Sequence, residues 1–397
     1  MGLKIGLLND SFPPAIDGVA NTVKAYADIL SDGCDEPVVI TPKYPHVNDN
    51  YKYKVYRYSS IPTDKLIGYR TGNPFSPITI SDLNLENFDL LHVHCPFASA
   101  VLANSIKTFS KKKIPLILTY HTKFDIDIEK RIHIHGFRHI VTKFILTNIN
   151  QMDEVWVVSE GAGKNLVDLG YKGKYIVMPN GTDFPNGKAN ASEIEAIKKE
   201  FNIEPDCLVF LFVGRMFWYK NIGLSLEALK MLKADNIKFK FILAGDGDDR
   251  LAIEQYTKHL NLNDNVIFAG PIYDRSKLRA LYSAADLFLF PSTYDTSGLV
   301  VKEAAACHCP SVVVMNSCAA ESVEDNFSGY LCEESASGVY SAIKRAISDT
   351  NKLKEIGDNA NKHVYYSWED SVRAARLRYD EVLFNHNKPK RRSWLKK

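Results

Sequence analysis

The sequence predicts two α/β domains in tandem, each built on a doubly wound parallel sheet. Short runs rich in Val, Ile, Leu and Phe recur along the chain, separated by longer stretches with the spacing of amphipathic helices. Most of these runs are nearly continuous rather than alternating, as expected of parallel strands that helices cover on both faces. The length of 397 residues also favours two domains over one.

Strands are predicted where the apolar runs occur. In the first half these are residues 4–8, 37–41, 89–94, 115–120, 154–159 and 175–179. In the second half they are residues 209–214, 238–244, 265–269, 286–290 and 311–314. Helical patterns lie between them, as over 221–233 and 277–284. Residues 47–77 are rich in Tyr and Pro and lack clean periodicity, which predicts an elaborated loop region.

The domain boundary is predicted within residues 180–191, where Gly, Pro, Asn and Asp cluster before a new helix. This gives an N-terminal domain over 1–184 and a C-terminal domain over 185–366. A last helix over 367–387 is expected to pack back on the N-terminal domain, and a basic tail occupies 388–397. Ligands of open α/β sheets bind beyond the carboxyl ends of the strands, so the expected site is a cleft where the two domains face each other.

The composition does not indicate a particular partner. The formal net charge of +2 and a charged fraction of 24% are those of an ordinary globular protein, and no nucleic acid partner is predicted. Seven cysteines without a C-x-x-C pair argue against a disulfide framework and favour the cytoplasm. The first strand begins too early to leave room for a signal peptide, and no apolar run approaches the roughly 20 residues of a membrane-spanning helix.

Basic residues are concentrated in two regions. The last ten residues hold six Lys or Arg together with Trp394 and Leu395. This tail fits either an anionic membrane surface or a solvated terminus. Residues 128–143 form a second basic, histidine-bearing stretch, which fits either a solvated helix face or a second membrane contact. The expected location is therefore the cytoplasm. The more specific interpretation is peripheral association with the inner face of the cell membrane.

The most informative segment is residues 291–303, which read PSTYDTSGLVVKE after an apolar strand. Residues 296–298 suit a loop with free backbone N–H groups, and a helical pattern begins at Leu299. The N-terminus of a helix attracts phosphate through its free N–H groups and its dipole. Asp295 and Glu303 are carboxylates that can accept hydrogen bonds from sugar hydroxyls. The segment therefore predicts a site for a nucleotide sugar.

A second loop at the carboxyl end of a strand carries Arg215 and Lys220, just before a helix that opens near Asn221. Two cations beside a helix N-terminus fit a clamp for a diphosphate, and such a clamp also stabilises charge that develops on a leaving group. The alternative is a pair of solvated surface cations. The position at the end of a strand favours the clamp.

Three glycine-containing turns are further candidates. The loop after the first strand contains Gly18 near the start of a helix, which fits a phosphate contact or a structural turn. The turns that contain Gly245 and Pro271 end two strands of the second half, where glycine allows a flat base to approach the backbone. Ordinary βα turns remain the alternative for both.

Histidines close two strands of the first half. His121 ends the strand at 115–120 and either bonds a sugar hydroxyl or is a satisfied, partly buried histidine. His92 and His94 alternate along one strand and therefore share a face. No third metal ligand is evident near them, so no metal site is predicted.

Taken together, these residues resemble glycosyltransferase family 4, the retaining enzymes of the GT-B fold. The resemblance covers nearly the whole chain. It rests on the Gly214-Arg215 and Lys220 pattern, the Ala-Gly-Asp-Gly turn at 244–247, and the seven-residue spacing between two carboxylates at 295 and 303. Residues 92–97 and 120–125 look like segments of the diacylglycerol glucosyltransferases, which work at the cytoplasmic face of bacterial membranes.

The resemblance implies a role for each candidate residue. Ten positions would bind the donor: Gly18, Gly214, Arg215, Lys220, Gly245, Pro271, Ser297, Gly298, Leu299 and Glu303. Four would act in catalysis: His121, Asp295, Arg215 and Lys220. Arg215 and Lys220 would hold the diphosphate, Glu303 the ribose hydroxyls and Asp295 the transferred sugar. The family usually has Glu at position 295 and often Phe or Asn at 297, so Asp295 and Ser297 indicate an altered sugar pocket.

The implied reaction is transfer of a hexose, expected to be glucose, from a UDP-sugar to an acceptor with retention of configuration. The expected acceptor is a membrane lipid such as diacylglycerol. The departing diphosphate would take the acceptor's proton, so neither a cofactor nor a metal is expected. Two alternatives remain open. One is a glycosyltransferase of capsule, exopolysaccharide or other cell-envelope glycan synthesis, and the other is a nucleotide-sugar epimerase.

Overall fold

The chain forms two compact units in a computed structural model that describes residues 2–15, 17–63, 70–124 and 135–388. The first unit is Met1–Asn180 with Trp368–Lys397, and the second is Gly181–Ser367. The boundaries therefore fall after residues 180 and 367, not after 184 and 366 as predicted. Thr182 and Ser367 pair with each other in an isolated parallel bridge, and Phe184 belongs to the hydrophobic core of the second unit.

The first unit is built on a seven-stranded sheet with the order β3-β2-β1-β6-β7-β8-β9, and every pairing in it is parallel. A separate antiparallel pair joins β4 and β5. The strands are β1 (Lys4–Leu8), β2 (Glu36–Pro42), β3 (Lys54–Tyr58), β4 (Ser60–Ile61), β5 (Thr71–Gly72), β6 (Leu90–Val93), β7 (Leu116–Tyr120), β8 (Glu154–Val157) and β9 (Ile176–Val177). The helices are α1 (Gly18–Asp32), α2 (Pro77–Leu85), α3 (Ala98–Phe109), α4 (His135–Ile149) and α5 (Glu160–Asp168), and α13 (Trp368–Asn387) returns to this unit.

Helices cover this sheet on both faces. Side chains alternate along β1, so that Leu7 belongs to one hydrophobic core and Leu8 to the other. The core that contains Leu7 also holds the buried faces of α1 and α13, with Tyr379 of α13 fully buried. Tyr379 directs its hydroxyl to His92 Nδ1 at 2.7 Å, so the last helix is tied to the middle of the sheet by a buried polar contact.

The second unit contains a six-stranded parallel sheet with the order β12-β11-β10-β13-β14-β15. The strands are β10 (Leu208–Val213), β11 (Phe239–Ala244), β12 (Val266–Gly270), β13 (Leu287–Phe290), β14 (Ser311–Val314) and β15 (Tyr330–Cys332). The helices are α6 (Ala191–Glu200), α7 (Ile222–Ala234), α8 (Arg250–His259), α9 (Arg275–Ala284), α10 (Leu299–Ala306), α11 (Ala336–Ile347) and α12 (Thr350–His363). None of the described helices is long and apolar enough to cross a membrane.

The predicted architecture of two parallel-sheet α/β domains is confirmed, and each predicted strand overlaps an observed one. The prediction of a loop region over 47–77 was wrong at Lys54–Tyr58, which forms the edge strand β3. An edge strand is half exposed, and its sequence KVYRY therefore lacks the continuous apolar run that marks a buried strand. The three-residue strand β15 was missed for lack of length.

Candidate functional site

The loops that follow β10, β11 and β12 meet at one edge of the second sheet, because parallel strands end together. The backbone N–H of Gly214 donates to the carbonyl of Ala244 at 3.0 Å, and that of Gly245 donates to the carbonyl of Gly270 at 2.8 Å. These loops line an open pocket of about 350 Å³. It is lined by Val213, Gly214, Arg215, Ala244, Gly245, Asp246, Pro271, Ile272, Tyr273 and Leu278. Four of the predicted donor-binding residues therefore share one pocket.

Gly245 is required by the close approach of two loops. Its φ is +145°, and a Cβ built there would lie 1.9 Å from the carbonyl oxygen of Gly214. No L side chain tolerates that combination without movement of the backbone. The close approach of the two loops therefore requires a glycine at this position of the pocket lining.

The two predicted clamp cations differ in their surroundings. Arg215 is exposed, its guanidinium lies 5.5 Å from the centroid of the Phe217 ring, and no described carboxylate forms an ion pair with it. Lys220 is buried in a 3₁₀ turn, Trp218–Lys220, that leads into α7. Its Nζ lies 2.5 Å from Asp295 Oδ1 and 5.6 Å from the centroid of the Phe290 ring.

Asp295 is the counterion of Lys220. A buried ammonium group is costly without a partner, and Asp295 supplies one from the loop after β13. The second oxygen of Asp295 accepts a hydrogen bond of 2.6 Å from Ser292 Oγ. Lys220 and Asp295 were predicted to bind different parts of a donor, and in the structure they are in direct contact. Ser292 was missed because a serine three residues before an acid carries no distinctive pattern.

Free hydrogen-bond donors lie at the N-terminus of α10. Gly298 caps this helix with φ 57° and ψ 42°, and a Cβ there would lie 2.8 Å from Ala319 Cα. No side chain within the described ranges caps the first turn of this helix. The hydroxyl of Ser297 is also buried without a partner among the described residues. The helix begins at Leu299, as the sequence predicted, and its N-terminus beside Ser297 and Gly298 is suited to an anion.

Glu303 lies one turn further along α10 with its carboxylate buried. Oε1 accepts from Arg275 Nη1 at 3.2 Å, and Oε2 accepts from the hydroxyl of Tyr282 at 3.0 Å. Burial raises the pKa of Glu303, whereas the charge of Arg275 and the two hydrogen bonds lower it. Sequence reasoning did not find these partners. Their spacing of seven residues places them on one face of a helix, but nothing in the sequence links that face to Glu303.

The remaining two predicted site residues, Gly18 and His121, belong to the first unit. Gly18 is the first residue of α1, which Asp17 caps by accepting from the N–H of Ala20 at 2.7 Å. A Cβ built at Gly18 would meet no atom of the described residues within 4 Å. These residues therefore do not require a glycine here.

His121 forms a buried pair with His94 at the carboxyl ends of β7 and β6. His121 Nε2 and His94 Nδ1 lie 3.0 Å apart. The other nitrogens of the pair, His121 Nδ1 and His94 Nε2, are buried without a partner among the described residues. Burial lowers the pKa of His121 to about 3 and that of His94 well below its ordinary value, so both rings are neutral at physiological pH. His94 was not among the predicted site residues.

No group of three or more His, Cys, Asp or Glu side chains within the described ranges is arranged to hold a metal ion. His92 uses one ring nitrogen on Tyr379 and the other on Thr119 Oγ1, at 2.7 Å each. The basic tail beyond residue 388 and residues 128–134 lie outside the described residues. The rest of the second basic stretch lies on α4, where Ile140 and Phe144 are 62% and 45% exposed.

Both units match known family models. Residues 16–184 match the model described as "Glycosyltransferase Family 4", and residues 193–363 match the model described as "Glycosyl transferases group 1". The alpha-monoglucosyldiacylglycerol synthase of Streptococcus pneumoniae is 25% identical over 93% of this chain and 86% of its own length. The N-acetyl-alpha-D-glucosaminyl L-malate synthase of Bacillus anthracis is 25% identical over 70% of this chain and 71% of its own.

A solved structure has the same fold. The crystal structure of Anabaena HepE in complex with UDP-glucose superposes with a TM-score of 0.70. The match covers 96% of this chain and 100% of that one, at 20% sequence identity.

The histidine pair generates a prediction about tautomers. Two neutral imidazoles that share one hydrogen bond between Nδ1 and Nε2 must both carry hydrogen on Nδ1 or both on Nε2. We expect the ¹⁵N spectra of histidine-labelled protein to give the same tautomer for His94 and His121, with neither ring titrating between about pH 6 and about pH 8. Signals are assigned by their loss in His94→Gln and His121→Gln. Unlike tautomers, or a charged ring in that range, would contradict the pairing.

Proposed function

The chain belongs to glycosyltransferase family 4 and is a hexosyltransferase of the GT-B fold, and from that premise we propose the reaction that it catalyses. The proposed reaction transfers glucose from UDP-glucose to diacylglycerol in a membrane, with retention of anomeric configuration. The single observation that carries the proposal is the carboxyl edge of the second sheet. There the exposed Arg215 lines a pocket, and the loop after the neighbouring strand β13 leads to the N-terminus of α10 and, one turn on, to the carboxylate of Glu303.

The proposed roles follow from the surroundings of each group. Arg215 has no described counterion, so it is available to the diphosphate of a nucleotide sugar. The N–H groups at the start of α10 and the Ser297 hydroxyl are proposed to receive phosphate oxygens. Glu303 is proposed to accept from the ribose hydroxyls. In the first unit His121 is the proposed partner of a sugar hydroxyl, because its Nδ1 is buried without a described partner.

Lys220 and Asp295 are proposed to separate in part when the donor binds. Lys220 would then face the diphosphate, and Asp295 would gain a sugar hydroxyl while it keeps its bond to Ser292. In the chemical step the bond between the sugar C1 and the diphosphate oxygen breaks, and a C1–O bond to the acceptor forms on the same face. The acceptor's proton passes to the departing phosphate oxygen. Arg215 and Lys220 balance the charge that develops there, so the proposal requires no bound metal.

The relatives support the choice of donor and acceptor. HepE of Anabaena binds UDP-glucose in a structure of the same fold. The Streptococcus pneumoniae relative is named as a synthase of monoglucosyldiacylglycerol, in which glucose is attached to diacylglycerol. Helix α4 adds a structural reason for a lipid acceptor, because Ile140 and Phe144 are exposed four residues apart beside Lys143.

A glycosyltransferase with a soluble or polysaccharide acceptor is the second candidate. The Bacillus anthracis relative favours this candidate, because it is named as a synthase of N-acetylglucosaminyl L-malate, whose acceptor part is a small soluble acid. An epimerase remains the third, and it would alter a UDP-sugar without any acceptor.

Nucleotide affinity tests the donor site. We expect UDP to bind more tightly than GDP or ADP in calorimetric titrations. Arg215→Met should weaken UDP binding about 10- to 100-fold, the effect of losing one charge-assisted hydrogen bond. The matched control is Lys230→Met, an exposed cation on α7 that should leave the affinity unchanged. Equal affinities for the three nucleotides would reject the donor assignment, and an unchanged Arg215→Met affinity would reject the clamp.

Product analysis tests the acceptor. Incubation with UDP-glucose and vesicles of diacylglycerol and anionic phospholipid should yield a monohexosyl lipid in the mass spectrum, with the α configuration in its proton NMR spectrum. Ile140→Ser with Phe144→Ser should lower the rate on vesicles about tenfold or more, because two apolar side chains no longer enter the bilayer.

The matched control for that experiment is Leu251→Ser. Leu251 is 72% exposed on α8 of the second unit, and its loss should not change the rate. Glucosylated malate without glucosylated lipid would favour the soluble acceptor, and an altered UDP-sugar in the absence of acceptor would favour the epimerase.

A further inference from the structure

Glu303 is an unusual acid for a ligand-binding role, because its carboxylate is already engaged by protein. Arg275 and Tyr282, both on α9, contact one oxygen each. An ionised carboxylate offers about four acceptor positions, two on each oxygen. After these two contacts, each oxygen keeps one position for a further donor. Two adjacent hydroxyls of a ribose require just that arrangement.

Burial works against the charge of Glu303. Desolvation raises its pKa, and among the described residues Arg275 is the cation that opposes this effect. The hydroxyl of Tyr282 opposes it as well, whereas the charge of Asp183 acts in the same direction as burial. Cys307, at the end of the same helix, is the further titratable group coupled to Glu303. Loss of the Arg275 charge would therefore leave a carboxyl group that protonates more easily.

Two residues at the start of the second unit hold Arg275 in place. Its Nη2 donates to Asp183, and its guanidinium carbon lies 4.4 Å from the centroid of the Phe184 ring. Phe184 is fully buried and meets the Tyr282 ring edge-on, with 5.4 Å between the ring centroids. Both partners of Glu303 thus pack on one aromatic side chain, which restricts their movement relative to each other.

We propose that Arg275 and Tyr282 are positioning residues for nucleotide binding, which hold Glu303 ionised with one acceptor position on each oxygen directed to a ribose diol. The inference rests on the proposed function, since it takes Glu303 as the ribose-binding residue. Neither residue needs to touch the nucleotide. Their effect on affinity acts through the charge and orientation of Glu303.

The test compares the affinity for UDP and for 2′-deoxyuridine diphosphate between about pH 8 and about pH 5.5, a range in which buried carboxyl groups titrate. The UDP affinity of Arg275→Met should be close to that of the wild type at high pH. As the pH falls, it should become about tenfold weaker than that of the wild type. The physical reason is that Glu303 takes up a proton and loses acceptor capacity. Binding of the deoxynucleotide should fall much less, because it lacks one of the two hydroxyls.

Three further variants sharpen the result. Tyr282→Phe should weaken UDP binding severalfold without a steep pH dependence, because it removes a hydrogen bond and no charge. Arg275→Lys should restore most of the affinity lost at low pH, which a merely structural role of the guanidinium would not predict. Lys277→Met is the matched control, since Lys277 lies on α9 but pairs with Glu200 at 2.6 Å.

The outcomes distinguish this inference from the proposed function. If Glu303→Gln binds UDP as tightly as the wild type, the ribose assignment fails and with it this inference. If Glu303→Gln weakens UDP binding but Arg275→Met follows the wild type at every pH, the positioning role fails and the donor site stands. Circular dichroism melts of each variant separate these results from a loss of folding.

Discussion

Parallel pairing of buried strands is the constraint on which the candidate site depends. Strands β13 and β14 are wholly buried and β10 and β11 nearly so, which leaves little of the sheet faces open to a ligand. Parallel strands also end together, so their loops share one edge. The loops after β10, β11, β12 and β13 bring the pocket glycines, the two cations and Asp295 to that edge. The fold thereby brings the candidate residues to one edge before any ligand is considered.

The buried charged groups at this edge of the sheet are paired with groups of opposite charge. A buried Lys220 meets Asp295, and a buried Glu303 meets Arg275. Each pair satisfies a group that would be costly to bury alone. Arg215 is different because it is exposed and has no described counterion. We infer that an arriving diphosphate meets Arg215 first and competes with Asp295 for Lys220. Asp295 is held by Lys220 and Ser292, and the proposed contact with a sugar would start from that position.

Sequence patterns predicted most of the fold and the backbone part of the site. Continuous apolar runs located the buried strands, and Gly298 before Leu299 located a helix N-terminus that the structure contains. The contacts between side chains could not be predicted from the sequence. The Lys220–Asp295 pair spans 75 positions and the His94–His121 pair 27, and no local spacing reports such contacts. Arg275 resembles any other residue at the start of a helix, and only the packing of α9 against α10 brings it to Glu303.

Hydrogen exchange with and without UDP tests the central claim, that the carboxyl edge of the second sheet binds the nucleotide. We expect slower exchange of backbone amides within residues 214–221, 245–247, 271–273 and 298–303 when UDP is bound, because these segments contain the pocket-lining residues, the turn that carries Lys220 and the start of α10. Exchange in α11 and α12, which do not line the pocket, should not change directly. UDP binding that protects other segments and leaves these four unchanged would contradict the account.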